Sequence, residues 1–459
     1  MIKLPKIIII ISQDLKRHGA RAILVGGAVR DYYLNLPIKD YDIEVYGLHS
    51  MQELIDILSS YGSVNLVGKS FGVLKFRYDG NEYDFSFPRR ESKTAKGHRG
   101  FDIEVDGFMS FKEASLRRDF TVNALGYDIE DDKFLDSFGG LGDLKDKKLR
   151  HINKKTFTED SLRVYRAVQF CARFDFHLAD ETFLLCKKMV DNGDLKDLAK
   201  ERVFEEFKKL LLKSKKPSIG FELMRKLGIL RYYPELEMII GIKQEYKYHP
   251  EGDVWIHTMM SLDAMSKMLG SDEKENLVLM FAVLCHDFGK ATTTVVDENG
   301  RIRSIGHEKA GLEPTEKFIY RLSDERKLID RVLPLVEHHL KPSQFYSAKS
   351  KDKAIRRLST KVNISELIKV AKADFLGRDT KEAKSGIYEA GEWLKSKAKN
   401  LKVDKKPLEN LLRGRDLIKL GLKPSPSFKK ILDEVYHLQL NGEILSHNEA
   451  LKYVNNHFL

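Results

Sequence analysis

Short apolar runs separated by polar turns fill the first 140 residues of this 459-residue chain. Runs of this kind favour β-strands, and Asp79-Gly80-Asn81 between two of them is typical of a hairpin turn. Five consecutive isoleucines, Ile7–Ile11, predict a buried helix that packs on the first sheet. The strands are predicted at residues 22–25, 42–46, 73–78 and 82–87.

The pattern becomes helical from about residue 141, and candidate strands become scarce. Residues 161–176 illustrate it, since Leu162, Ala167 and Cys171 recur at helical spacing and predict an amphipathic helix. We therefore expect an α+β protein with a mixed-sheet head followed by helical regions. The predicted domains are residues 1–140, 141–235, 236–394 and 395–459, with the basic stretch Lys395–Lys406 opening the last.

The chain has 79 Lys and Arg residues against 68 Asp and Glu residues, a formal charge of +11. This excess favours a polyanionic partner, and RNA fits better than a membrane because no apolar run approaches the roughly 18–20 residues of a spanning helix. Cys171, Cys186 and Cys285 have neither metal-finger nor disulfide-framework spacing, which predicts a reduced, cytoplasmic compartment. The oligomeric state stays open.

The first chemical motif is Gly26-Gly27-Ala28-Val29-Arg30-Asp31, which follows an apolar run and precedes Asp40-Tyr41-Asp42. Glycines allow backbone N–H groups to approach a phosphate, and a helix start favours anions. Residues i and i+2 of a strand share a face, so Asp40 and Asp42 are predicted to hold divalent metal together. Alone, each motif is usually a turn or a solvated loop. Together, in this order, they indicate phosphoryl or nucleotidyl transfer.

Asp84, on the predicted strand 82–87, is a candidate third carboxylate if an antiparallel neighbour presents it beside Asp42. The alternative is an exposed strand residue opposite a lysine. The following stretch, residues 89–99, is rich in Gly, Lys and Arg and continues to Asp106-Gly107. It is either a mobile lid over a nucleotide or a disordered surface loop.

Two further motifs pair acceptors with donors. Arg117-Arg118-Asp119 offers forked phosphate donors beside an acceptor for a ribose hydroxyl. Asp160 and Arg163 are three residues apart, which would place them on one helical face. Such a pair could accept from the exocyclic amine of cytosine or adenine and reject uracil and guanine. The alternative is a capping acid and a surface ion pair.

With Asn123-Ala124-Leu125 and Arg163–Phe174, these motifs resemble the bacterial class II tRNA nucleotidyltransferases, the CCA-adding enzymes. The resemblance implies a polymerase-β-like head, an all-α neck, a helical body and a helical tail, with a tRNA acceptor stem and 3′ end as partner. It further implies two Mg²⁺ ions on Asp40 and Asp42, with Asp84 as a third catalytic carboxylate, and CTP and ATP as substrates. The implied nucleotide-binding residues are Gly26, Gly27, Arg30, Arg117, Arg118, Asp119, Asn123, Asp160, Arg163 and Arg166.

Within this resemblance, Arg118 and Asp119 would check for a ribonucleotide, and Asp160 and Arg163 would select the base. Two departures leave alternatives open. Ser92 in Arg90-Glu91-Ser92-Lys93 departs from the usual loop, so an enzyme limited to CC addition remains possible, as does a related poly(A) polymerase. Pro424-Ser425-Pro426 replaces a Pro-Gly-Pro turn in the tail.

The C-terminal half contains a second constellation of imidazoles and carboxylates, a set that suits transition metals. His257, His286, Asp287 and Asp374 match the H…HD…D pattern and resemble the HD phosphohydrolases. The resemblance implies a divalent ion such as Ni, Mn, Fe or Co and phosphatase or 2′,3′-cyclic phosphodiesterase activity. His307 and either His338 or His339 are candidate additional ligands. An alternative of another class is an HD phosphohydrolase whose head only binds RNA.

Overall fold

The structure is a computed structural model that describes residues 2–67, 72–93 and 101–459. The chain divides into two compact units, and it crosses between them more than once. The first unit comprises Met1–Leu210 and Ile219–Ile229, and the second comprises Leu211–Ser218 and Leu230–Leu459.

The described strands are β1 (Arg21–Val25), β2 (Asp42–Tyr46), β3 (Ser63–Val67), β4 (Val73–Tyr78), β5 (Asn81–Ser86), β6 (Arg89–Lys93), β7 (Phe101–Val105), β8 (Gly126–Asp128), β9 (Lys133–Leu135), β10 (Lys148–Leu149), β11 (His177–Leu178), β12 (Val295–Val296) and β13 (Ile302–Arg303).

The described helices of the first region are α1 (Lys6–Arg17), α2 (Gly27–Tyr33), α3 (Met51–Ser59), α4 (Phe111–Ser115), α5 (Gly140–Lys145), α6 (Lys154–Glu159), α7 (Leu162–Phe174), α8 (Asp180–Asp191), α9 (Lys200–Lys213) and α10 (Pro217–Leu227). The later helices are α11 (Pro234–Glu237), α12 (Val254–Ser266), α13 (Glu273–Cys285), α14 (Lys290–Thr293), α15 (His307–Ala310), α16 (Leu312–Leu322), α17 (Arg326–His338), α18 (Lys341–Ser347), α19 (Asp352–Ser359), α20 (Ile364–Leu376), α21 (Lys381–Lys384), α22 (Glu389–Asn400), α23 (Gly414–Lys419), α24 (Ser427–Asn441) and α25 (His447–Phe458).

The main sheet of the first unit has the strand order β3-β4-β5-β2-β1-β8-β9. The pair β2–β5 is parallel, and the other pairs are antiparallel. The prediction that the Asp84 strand runs antiparallel to the Asp42 strand is therefore wrong. β5 takes β4 as an antiparallel neighbour on the side away from β2, and it runs parallel to β2. The parallel register still places Asp84 directly opposite Asp42.

The isoleucine run forms α1, and its two faces differ. Ile7, Ile8 and Ile11 are buried, whereas Ile9 and Ile10 point to solvent. Helical spacing puts the buried residues on one stripe, which packs against β1 as predicted.

The predicted lid, residues 89–99, begins with a β-strand, β6, and not with a loop. β6 pairs antiparallel with β7 in a separate ribbon, which includes the backbone of Ser92. The middle of the predicted lid, residues 94–100, lies outside the described residues.

The second unit is helical, and its centre is the mutual packing of α12, α13, α17 and α20. Trp255, Phe281 and Phe288 are fully buried there. The basic stretch 395–406 is not a simple linker, since α22 continues to Asn400. Among the described residues, no helix is long and apolar enough to span a membrane.

Candidate active sites

A glycine turn joins β1 to α2 beside a cleft in the first unit. Gly26 has a φ of +70°, the left-handed region that favours glycine, and its N–H donates to the carbonyl of Leu125 at 3.1 Å. A Cβ atom added at Gly26 would lie 2.8 Å from Nη1 of Arg118. The backbone conformation therefore favours glycine here, and a Cβ atom would have to displace the guanidinium of Arg118.

The carboxylates lie at one end of the two parallel strands. β2 begins at Asp42, so Asp40 precedes the strand instead of sharing its face. Desolvation raises the pKa of Asp42; Arg118 opposes the rise, while Asp84 and Asp40 add to it. Crowded carboxylates of this kind would be stabilised by a divalent cation, so the donor set fits Mg²⁺.

Asp84 also has the alternative environment predicted for it. Lys75 is its register partner on β4, and the lysine Nζ lies 3.6 Å from Asp84 Oδ1. The side chain is about one-third exposed, 37%. Asp84 is thus an accessible strand carboxylate opposite a lysine and also the neighbour of Asp42.

Glu44, two residues after Asp42 on β2, is a buried carboxylate that the sequence analysis missed. Its Oε1 accepts hydrogen bonds from Arg117 and from Arg118, each at 3.0 Å, and its Oε2 accepts from the hydroxyl of Tyr46 at 2.8 Å. Burial raises the pKa of Glu44, but the two arginines outweigh it and the net shift is downward. The carboxylate is therefore ionised at neutral pH.

Asp119 is buried and hydrogen-bonded by three donors. Its Oδ1 accepts from the backbone N–H of Phe120 and from Nδ2 of Asn123, both at 2.8 Å, and its Oδ2 accepts from Nε of Arg166 at 2.7 Å. Burial raises the pKa of Asp119, whereas Arg166 and Asn123 lower it by more. The arrangement holds an ionised carboxylate in one orientation.

Arg30 is 5% exposed and belongs to the same network. Its guanidinium donates to Oδ1 of Asn123 and to Asp31, and it lies 4.6 Å from the centre of the Phe174 ring. Because arginine can only donate, it forces the amide oxygen of Asn123 toward itself and the amide nitrogen toward Asp119. Arg30 and Asn123 thus orient Asp119; their predicted contact with a nucleotide stays a prediction.

Asp160 and Arg163 do not share a helical face, because Asp160 is extended and lies between α6 and α7. Asp160 Oδ1 accepts from the N–H of Leu162 at 3.2 Å, and Oδ2 pairs with Arg202 at 3.0 Å. Arg163, in the first turn of α7, donates to the carbonyls of Thr156 and Arg117. The capping role considered for Asp160 is therefore present, with Arg202 as an ion-pair partner.

Most of these groups line one cleft of about 490 Å³, whereas Asp40, Asp84 and Glu44 are not among its lining residues. Its walls combine the glycine turn, one strand carboxylate and several guanidinium groups, so the cleft can hold a polyanion beside a metal-binding carboxylate. Its lining includes Gly26, Gly27, Arg30, Asp42, Arg89, Arg117, Arg118, Asp119, Asn123, Asp160, Arg163, Arg166 and Arg202.

The second unit brings the predicted histidines and aspartates together from several helices. His257 lies on α12, His286 and Asp287 follow α13 directly, and Asp374 lies on α20. His257 Nε2 lies 3.1 Å from Asp374 Oδ1, and His286 Nε2 lies 3.2 Å from Asp287 Oδ2. The spacing of the H…HD…D pattern thus places all four residues in one buried cluster.

His307 and His339 extend this cluster. His307 Nε2 lies 3.3 Å from Asp287 Oδ1 and 3.3 Å from His339 Nε2. Ligand atoms of Asp287, His307 and His339 lie within 4.8 Å of one another, as do those of His257, His286 and Asp374. Of the two histidines considered, the cluster therefore includes His339.

The donor set fits a divalent metal. His286 Nε2 and both carboxylate oxygens of Asp287 are buried without a well-directed hydrogen bond among the described residues. Burial, together with His286 and His307, lowers the pKa of His339 to about 3, so that its imidazole is neutral at pH 7 and able to ligate. Imidazoles and carboxylates gathered in one buried cluster suit a divalent transition metal.

Three supporting residues were missed by the sequence analysis. Glu251 accepts from Nδ1 of His257 at 2.8 Å, which directs the other ring nitrogen toward the cluster. Lys290 Nζ lies 2.7 Å from Asp287 Oδ2, and Arg378 donates to Asp374 at 3.0 Å. The i+3 and i+4 spacing of Lys290 and Arg378 after the two aspartates was the available signal.

Comparison with known proteins places three different family models along the chain. Family models match at residues 22–150 (poly A polymerase head domain), 175–240 (probable RNA and SrmB-binding site of polymerase A) and 254–379 (HD domain). The Multifunctional CCA protein of Mannheimia succiniciproducens is 38% identical over 303 residues, which are 65% of this chain and 69% of the relative. That of Methylobacillus flagellatus is 36% identical over 326 residues, 71% and 75% of the two chains. The chain belongs to the multifunctional CCA protein family.

Solved structures extend the likeness of this family member to nearly its whole length. The Bacillus stearothermophilus CCA-adding enzyme in complex with CTP has a TM-score of 0.68 at 23% identity, covering 99% of this chain and 98% of that one. The Thermotoga maritima CCA-adding enzyme complexed with tRNA has a TM-score of 0.60 at 21% identity, covering 98% and 95%. The fold expected from the resemblance is therefore confirmed.

Proposed function

We propose that this multifunctional CCA protein adds and repairs the 3′-terminal CCA of tRNA, without a nucleic-acid template, from CTP and ATP. The observation that carries the proposal is a single cleft that contains the Gly26 turn, Asp42, Arg118 and the Asp160–Arg163 pair. A triphosphate cradle, a metal-binding carboxylate and a base-recognising pair within one cleft are the parts that nucleotidyl transfer needs.

In this proposal Asp40 and Asp42 would hold Mg²⁺, which would supply activation of the RNA 3′-hydroxyl and charge neutralisation of the pyrophosphate, and Asp84 is the third catalytic carboxylate beside them. The glycine turn lets backbone groups approach the phosphates, and Arg117 and Arg118 donate to them. Asp119, held ionised by Arg166, accepts from the ribose hydroxyl. The two-metal arrangement and these roles are inferences from the residues and the resemblance.

Base selection is assigned to Asp160 and Arg163. The aspartate accepts from the exocyclic amine shared by cytosine and adenine, and the arginine donates to a ring nitrogen or carbonyl. Arg202 supports this role, because its ion pair with Asp160 at 3.0 Å holds the carboxylate in one orientation.

The test is incubation with tRNA transcripts that lack CCA, with Mg²⁺ and CTP, ATP or both, followed by 3′-end sequencing. Complete CCA ends only with both nucleotides would support the proposal. Termination at CC would favour a CC-adding enzyme, and long A tracts would favour a poly(A) polymerase. Asp42→Asn should abolish addition, with Asp79→Asn in the hairpin turn as the matched control.

The second candidate function is phosphohydrolysis at the HD cluster, of a phosphomonoester or a 2′,3′-cyclic phosphate. The Asp287 oxygens, which are buried without a well-directed hydrogen bond among the described residues, and the two ligand groups around them favour it. His286→Ala should remove hydrolysis of 2′,3′-cyclic CMP in the presence of Ni²⁺ or Mn²⁺ and keep nucleotide addition. Hydrolysis that survives both this change and metal chelation would contradict the assignment. A wild-type protein that hydrolyses 2′,3′-cyclic CMP but adds no nucleotide would favour a head that only binds RNA, and addition that survives in Asp42→Asn would contradict the role of Asp42.

The three buried free cysteines support a reducing, cytoplasmic setting for this chemistry.

A further inference from the structure

Glu44, a residue without a role in the proposed function, accepts hydrogen bonds from both Arg117 and Arg118 of the nucleotide cleft. Glu44 is 1% exposed and follows Asp42 by two positions on β2, so the two side chains lie on the same side of the strand. Its carboxylate points at the arginine pair and accepts from both guanidinium groups through one oxygen. Glu44 does not itself line the cleft, but both arginines that it binds do.

Glu44 is unsuited to act as a further metal ligand. All the contacts described for its two oxygens are with donors: the two guanidinium groups at Oε1 and the hydroxyl of Tyr46 at Oε2. A ligand to Mg²⁺ would have to release these hydrogen bonds and leave two arginines without their shared carboxylate. The geometry instead gives Glu44 the role of an anchor.

The anchored guanidinium of Arg118 lies against the glycine turn. Its Nη1 is 2.8 Å from the position of a Cβ at Gly26 and 3.4 Å from the carbonyl of Asn123, while its Nη2 bonds Glu44. One edge of Arg118 is thus held by Glu44 on β2, and the other lies beside the carbonyl of Asn123 and next to the glycine turn. A fixed fork close to a glycine turn matches a phosphate group.

We propose that Glu44 is a positioning residue for nucleotide binding, which presets Arg117 and Arg118 over the glycine turn so that they meet the triphosphate in one geometry. This inference rests on the proposed nucleotide addition. Through Arg117 the effect continues to the base-selecting pair, because the carbonyl of Arg117 accepts from Arg163. Substrate affinity, rather than tRNA affinity, is the quantity that depends on Glu44.

Two substitutions distinguish the effect of the Glu44 side-chain length from the effect of its charge. Glu44→Gln keeps the side-chain length and an acceptor oxygen for the arginines but loses the charge, and Tyr46 can accept from the new amide. Glu44→Asp keeps the charge but withdraws the carboxylate by one methylene. Positioning predicts that the aspartate variant raises the dissociation constant of CTP and its KM by about tenfold or more, since small misplacements of positioning groups are costly. The glutamine variant should stay within about threefold.

The matched control is Glu82→Asp on β5, another strand glutamate that bridges two cations, Lys75 and Arg77, but at the exposed surface. It should leave CTP binding unchanged. CTP binding to each full-length variant is measured directly without tRNA, followed by KM for CTP and KM for a tRNA ending in CC or lacking CCA. Circular dichroism melting reports folding.

The inference is overturned if the aspartate variant binds CTP as wild type does while melting at a lower temperature, since Glu44 is then only structural. It is also overturned if the glutamine variant is the weaker binder, since charge rather than position then matters. Failure of the proposed function has a different signature: the wild-type protein itself would neither bind CTP nor extend tRNA.

Discussion

Gly26 and Gly80 have nearly the same left-handed backbone, with φ of +70° and +74°, in different surroundings. A Cβ at Gly26 meets Arg118, whereas a Cβ at Gly80 meets nothing within 4 Å. Alanine at either position should lower the free energy of unfolding by about 1–2 kcal/mol because of its left-handed strain. Only Gly26→Ala should also reduce CCA addition, by about tenfold or more, because it displaces Arg118.

The measurement is urea unfolding together with steady-state kinetics for CTP on both variants. An equal loss of activity in Gly80→Ala would mean that the Gly26 effect is general destabilisation. Normal activity in Gly26→Ala would contradict the placement of the phosphate site at this turn.

Asp119, in the nucleotide cleft, should make the free energy of unfolding depend on pH. Its folded-state pKa lies below the ordinary value, because Arg166 and Asn123 outweigh burial. A lowered pKa stabilises the fold above the unfolded pKa of about 3.9 and loses that contribution as pH falls through the folded value. Asp119→Asn should therefore be less stable than wild type at pH 7, by about 1.5–3 kcal/mol, because Asp119 is buried but the Arg166 side chain is partly exposed.

Below about pH 4 the difference in stability between Asp119→Asn and wild type should shrink. The Asp119 carboxylate of the unfolded wild-type chain becomes protonated first, and that of the folded protein follows at lower pH. Urea titrations at pH 7, 4 and 3 measure it. A difference that is constant across this range would contradict an ionised Asp119 as the source of the stability.

At the scale of single residues, the sequence identifies functional residues that belong to a motif. It misses residues whose role depends on a partner that is distant in the sequence. Asp42 and His286 were found because they belong to spaced patterns. Glu44 and Glu251 were not, since each is defined by a partner far along the chain: Arg118 for Glu44, and Asp379, whose N–H donates to Glu251. Nothing local distinguishes such a glutamate from a surface one.

Among the elements, the close approach of α14 and α15 shapes the HD cluster. A Cβ at Gly289 would lie 2.1 Å from the carbonyl oxygen of His307 and 2.6 Å from the nitrogen of Gly311. These are backbone atoms, so the helices would have to separate and His307 would move away from Asp287. Gly289→Ala should therefore lower the affinity for Mn²⁺ or Ni²⁺ and reduce hydrolysis of 2′,3′-cyclic CMP by about tenfold or more.

CCA addition should continue in Gly289→Ala, because its residues lie in the first unit. Gly270→Ala is the control, since a Cβ there meets nothing within 4 Å. Metal titration by calorimetry and the two activity assays decide the matter. Full metal affinity in Gly289→Ala would show that this helix contact does not define the cluster.

Elements were predictable where the apolar pattern was long enough. The segments β2, β4 and α7 match their predicted bounds within two residues. The strands β8 and β9 are too short for a period to appear, and the parallel pairing of β2 with β5 depends on where β3 and β4 lie, which is a long-range property.

At the scale of the whole molecule, the reactivity of the three cysteines reports whether the chain is folded. Cys171, Cys186 and Cys285 are buried and free, and desolvation raises the pKa of all three thiols, that of Cys186 to about 12. Thiolates, the reactive form, are therefore scarce in the folded protein. A thiol reagent such as DTNB should titrate none in the native protein and all three in denaturant. Fast reaction of the native protein would contradict this burial.

The order of head, helical region and HD region along the chain was predictable, because the periodicity changes to helical at about residue 141 and the H…HD…D pattern marks the HD region. The exchange of segments between the two compact units was not. Nothing in the sequence of residues 211–218 marks them as part of the second unit while the next helix, α10, returns almost entirely to the first.

That exchange constrains how the protein could be divided. A gene fragment that ends at residue 210 would encode the first unit without Ile219–Ile229, and Gly220 in this segment lies close to Leu210, Val168 and Ala172. The fragment would expose the apolar surface that α10 covers and would favour aggregation. Recombination between relatives, whether natural or in the laboratory, should therefore preserve residues 200–230 as one inherited block.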